Sequence, residues 1–146
     1  MFDRSVIGHR FPAYPVAIEA GRIRQFAHAI GETAAVHTDE SAARAAGYAS
    51  VLAPPTFLTV CDLESPTPLP VIQFLAIDLR RLLHGEQSFT YFGPVCAGDV
   101  ITVEREIVDV FSRKQGALDF AVCETRYVNQ HAQLVAKAST TLIVRN

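Results

Sequence analysis

The chain has 146 residues and a net charge of −2, with 49% hydrophobic and 19% charged residues. That is enough for one domain spanning residues 1–146 with its own core, and the mix excludes a disordered chain. There is no basic run and no apolar stretch near the ~20 residues a bilayer helix needs, so neither nucleic acid nor membrane is an expected partner.

The N-terminal sequence Met1, Phe2, Asp3, Arg4 lacks the cationic-then-apolar pattern of a secretory signal. Cys61, Cys96 and Cys123 are odd in number and scattered. Reduced thiols in a cytoplasmic protein are the expected reading. With no metal-ligand spacing and no glycine-rich phosphate loop, no metal or other cofactor is expected.

In chain order, Tyr14 to Ile18 reads as a short opening strand. From Ala20 to Ile30, the apolar residues Ile23, Phe26, Ala27 and Ile30 recur at helical spacing, and Gly31 supplies a left-handed stop. Thr38 is the expected cap of a second short helix, with Asp39 and Glu40 in its first turn and Gly47 ending it. Pro54 and Pro55 open a third helix, apolar at Phe57, Leu58, Val60, Cys61 and Leu63. A helix apolar on nearly every side is buried on nearly every side. Ser65 to Pro70 reads as a stiff loop.

The rest reads as strands at Gln87 to Phe92, Val100 to Phe111, Leu118 to Val128 and Leu134 to Val144. In the last, Ala136, Ala138, Thr140, Leu142 and Val144 share a face whose middle is small, leaving room for a helix. The expected fold is α+β, a curved antiparallel sheet wrapped around one buried helix.

Gly31 to His37 reads G-E-T-A-A-V-H, with Ala43 six positions on. A carboxylate just past a helix stop and a histidine five residues later can aim an acid/base pair at one water. The segment resembles the G-D-x-N-P-x-H loop of the MaoC-like hydratase/dehydratase family, with Glu32 in place of the Asp and Ala34-Ala35 in place of Asn-Pro. Further stretches resemble the N-terminal type of that domain: A-P-P-T-F at Ala53 to Phe57, H-G-E-Q at His84 to Gln87, and the P-V-x-x-G-D turn from Pro94 to Asp99.

The resemblance implies a hot-dog fold and a substrate class, 2-enoyl or 3-hydroxyacyl thioesters of coenzyme A or acyl carrier protein. It implies (R)-specific hydration or the reverse dehydration, with His37 and Glu32 as the catalytic pair. Tyr48, Pro55, Thr56, Phe57 and His84 are the expected substrate-binding residues. Where catalytic relatives start the buried helix with a His-Gly pair, this chain has Pro55, which has no N–H to polarise a thioester carbonyl.

Hot-dog subunits pair edge to edge, so the expected assembly is a homodimer or a heterodimer with a C-type MaoC-like subunit. Two functions follow: a self-sufficient homodimeric hydratase, or a non-catalytic acyl-binding subunit whose partner carries the Asp/His pair. A thioesterase built on Asp62 is a distant third.

Overall fold

Four strands of the C-terminal half and one from the first half build a five-stranded antiparallel sheet, and the rest of the Ala- and Pro-rich first half supplies the segments that cover one face of it. The computed structural model describes residues 2–146. The strands are β1 (Tyr14–Ala17), β2 (Leu82–Tyr91), β3 (Val100–Arg113), β4 (Leu118–Val128) and β5 (Leu134–Arg145), in the order β1-β3-β4-β5-β2. Helices α1 (Ala20–Ala29), α2 (Glu40–Ala45), α3 (Leu58–Leu63) and α4 (Pro70–Phe74) complete the chain. No helix among the described residues is long and apolar enough to cross a membrane.

The α+β hot-dog expectation holds, with four local corrections. Asp39, not Thr38, caps α2. Its backbone is extended, and its carboxylate reaches three residues ahead to accept from the Ala42 amide at 2.7 Å. The third helix is a 3₁₀ turn over Pro55–Phe57 followed by only six α-helical residues. It is enclosed on one side alone, with Phe57, Leu58 and Cys61 buried and Leu63 77% exposed. A further helix, α4, follows the proline-rich loop, Pro70 occupying its first turn.

The fourth correction concerns β2, which starts at Leu82, ahead of the expected Gln87. It carries on through a bulge between His84 and Glu86. Gly85 explains the bulge: a Cβ there would lie 2.6 Å from Ile143 Cδ1. His84 therefore lies within a strand rather than ahead of one.

Two core clusters fill the covered face. One joins Ile23, Val51, Phe57, Leu58, Cys61 and Tyr127, with Ala136 and Ala138 providing the small floor under α3. The other gathers Val71, Ile107, Val110, Ala121, Cys123 and Leu142 beneath α4.

A polar tie positions α3. Asp62 pairs with Arg105 of β3 at 2.8 Å, and the Tyr127 hydroxyl donates to both its carboxylate oxygens at 3.0 Å. The Tyr14 hydroxyl donates to the carbonyls of Cys61 and Asp62. Burial pushes the Asp62 carboxyl up, while Arg105 and Tyr127 oppose that shift. Removing one hydroxyl with Tyr127→Phe is expected to cost roughly 1.5 kcal/mol in urea denaturation.

Candidate functional site

The loop after α1 brings His37 inward. Gly31 takes φ +73, a left-handed conformation that ends the helix, and a 3₁₀ turn over Ala35–His37 follows. His37 is 7% exposed, and its Nδ1 lies 2.7 Å from the Leu52 carbonyl oxygen. A carbonyl oxygen only accepts, so Nδ1 carries the proton, and in the neutral ring Nε2 keeps its lone pair.

That carbonyl is itself held in place. The Leu52 amide donates to Val36 O at 2.9 Å, Ala53 N to Val95 O at 2.8 Å, and Ala97 N to Val51 O at 2.9 Å. The P-V-x-x-G-D turn fixes the opposite side: Gly98 has φ +95, and an Asp99 oxygen accepts from the Cys96 amide at 2.8 Å.

His37 lies on the wall of a cavity of about 400 Å³. Tyr48, Leu52 and Ala53 line it beside the imidazole, Pro54, Pro55 and Leu58 form the side toward α3, and Tyr91, Gly93, Pro94 and Val95 close the far side. The walls are mainly apolar, with one imidazole and two phenols among the described lining residues. The Tyr91 hydroxyl donates to Pro55 O at 2.8 Å. The Tyr48 hydroxyl has no hydrogen bond among the described residues.

The other expected site residues lie as follows. Glu32 is not on the cavity wall: one carboxylate oxygen accepts from the Thr33 and Ala34 amides at 2.8 and 2.9 Å. The Ala34 amide first, then the Thr33 amide and the charge of His37, holds its carboxyl below the ordinary range. Pro55 borders the cavity and, having no N–H, offers no donor to it. Thr56 is exposed in the 3₁₀ turn, and its carbonyl accepts from the Thr59 hydroxyl. Phe57 is 2% exposed and packs edge-on against Phe26 in the core. His84 is exposed on β2, away from the cavity lining.

Tyr91 and the Gly93–Val95 wall escaped sequence reasoning. The signal available for them was the turn motif from Pro94 to Asp99, which marks a fixed backbone but no chemistry.

A second, larger groove of about 490 Å³ runs beside Arg10, Glu104, Arg105, Glu106, Glu124 and Arg126. Each of its charges already has a partner: Arg10 with Glu106, Arg126 with Glu104, Lys137 with Glu124, and Arg105 with Asp62. It presents neither an imidazole nor a free charge, so the cavity at His37 is the candidate site.

The model of the FAS1-like dehydratase domain region matches residues 5–138. The chain belongs to that family. The chain is 39% identical over 133 residues to a UPF0336 protein of Clavibacter michiganensis, covering 91% of this chain and 88% of the relative. The HadBC (3R-hydroxyacyl-ACP dehydratase) complex of Mycobacterium tuberculosis contains a chain 27% identical, with TM-score 0.79, over 94% of this chain and 96% of that one.

A MaoC-like dehydratase superposes with TM-score 0.86 at 22% identity, over 97% of this chain and 43% of the other, a likeness of fold alone. The α+β hot-dog fold of the chain and its membership of a dehydratase-domain family are therefore established.

Proposed function

We propose that this chain is the acyl-binding subunit of a two-subunit, (R)-specific dehydratase/hydratase acting on 3-hydroxyacyl and 2-enoyl thioesters. One observation carries the reading: among the described residues the lining of the apolar cavity includes His37 but no carboxylate, and one Glu32 oxygen is held by the amides of its own loop.

Hydration across a 2,3-double bond needs a base for the water, an acid for the α-carbon and a donor for the thioester oxygen. The cavity offers His37 Nε2 and the Tyr48 hydroxyl, and Pro55 stands where the oxyanion donor is expected. The missing groups would come from a partner carrying an intact G-D-x-N-P-x-H loop. The ten-residue β2 is an edge strand that pairs with no strand on its outer side among the described residues, and it carries Tyr91 onto the cavity wall. A second hot-dog sheet seated on that edge would lie beside the cavity. The Mycobacterium tuberculosis relative is itself a HadBC complex.

The competing reading, a self-sufficient homodimeric hydratase, draws on the free Nε2 of His37. The two part at Glu32. In the subunit reading, Glu32→Ala leaves turnover of the assembled enzyme within about threefold. A loss of about a hundredfold or more, the size of a displaced catalytic group, would favour self-sufficiency.

A further inference from the structure

The face of the sheet turned away from the helices carries a row of apolar side chains that follows directly from strand register. Phe111 faces Phe120, Phe120 faces Ile143, and Ile143 faces Leu83, so one row crosses β3, β4, β5 and β2. Directly paired residues of antiparallel strands project on the same side. Phe111 and Phe120 stack with ring centroids 4.7 Å apart, and Leu83 is 40% exposed.

The flanking rows differ in sign. On one side, Arg113, Leu118 and Arg145 lie in register. On the other, Asp109, Val122, Thr141 and Glu86 lie in register. None of Arg113, Arg145, Asp109 and Glu86 forms an ion pair among the described residues. An apolar row with a basic flank and an acidic flank is complementary to itself. A two-fold axis along the row would set the arginines of one copy over the carboxylates of the other, and the phenylalanines over each other.

We propose that this face is a self-association surface whose occupant is a second copy of this chain, packed back to back. The contact is distinct from pairing along β2, which uses the sheet edge, and it does not depend on the reading of the His37 cavity. Three rows by four strands span roughly 20 Å by 20 Å, or roughly 400 Å² per copy. Stable complexes bury about 800 Å² per partner, so this association is concentration-dependent.

Sedimentation velocity on the intact chain, from low micromolar to several hundred micromolar, tests it alongside three variants. At high concentration, the unmodified chain should have twice the mass of Phe120→Glu. Arg113→Glu with Arg145→Glu makes both flanks acidic and should hold the smaller mass. Adding Asp109→Arg and Glu86→Arg restores opposite signs and should recover the larger mass.

Circular dichroism melts establish that each variant is folded, and the charge variants decide the matter if Phe120→Glu does not fold. Equal masses for the unmodified chain and the folded disruptive variants at every concentration overturn the proposal. So does a folded four-site variant that stays at the smaller mass.

Discussion

In the proposed two-subunit enzyme, Ala53→Trp is expected to lower turnover of a medium-chain 2-enoyl thioester more than a hundredfold while leaving subunit association unchanged. Ala53 lies on the cavity wall between Leu52 and Pro54, and its amide is fixed on Val95 O. An indole there fills space an acyl chain would otherwise occupy. Each excluded methylene forfeits about 0.8 kcal/mol. Four excluded methylenes amount to about 3 kcal/mol, or somewhat over a hundredfold in rate constant. The loss should therefore grow with chain length and be least for a four-carbon substrate. Steady-state kinetics across a chain-length series measures this directly. A uniform loss at every length, or none, would place the acyl chain elsewhere.

The second large effect is structural. Arg105→Met is expected to destabilise the fold by about 3 kcal/mol, because it leaves the Asp62 carboxylate buried without its counter-charge. Arg105 and Asp62 are only 14% and 19% exposed, so solvent does little to replace the lost partner.

The pH dependence follows from the direction of the Asp62 shift. A carboxyl whose folded pKa lies above its unfolded value contributes stability at low pH and loses it as pH rises through the folded value. Burial already raises Asp62, and removing Arg105 raises it further. The penalty should shrink as pH falls through the raised folded value and the carboxyl takes up its proton. Urea titrations across the pH range in which the variant stays folded check it. A penalty independent of pH would mean that the charge of Asp62 is not what Arg105 holds in place.

What the sequence revealed and what it hid follow from how far apart in the chain the interacting groups lie. The helix stop at Gly31, the inward turn to His37 and the proline-led start of α3 are local, written in a few consecutive residues with definite backbone preferences. The four C-terminal strands were legible as β-branched and aromatic runs between turn-rich breaks. The start of β2 was not, because Gly85 reads as a break until Ile143, on the neighbouring strand, shows why no side chain fits there.

The site itself divides in the same way. His37 stands out from its motif, but the Leu52 carbonyl that sets its tautomer lies fifteen residues on. Tyr91 reaches the cavity only because β2 returns beside the 3₁₀ turn at Pro55. Asp62 had no visible partner in the sequence. Arg105 and Tyr127, from two later strands, supply it. That pairing makes Asp62 a positioning residue of α3 rather than a free carboxylate.

In the proposed function, this chain holds the acyl thioester while a partner completes the chemistry. The most direct measurement is hydration of a short trans-2-enoyl-CoA by the purified chain alone, with His37→Ala beside it, and again after adding a subunit that carries the intact G-D-x-N-P-x-H loop. No measurable turnover is expected from the chain alone, and turnover is expected once the two are combined. Robust turnover by the chain alone that collapses in His37→Ala would contradict it and establish a self-sufficient hydratase.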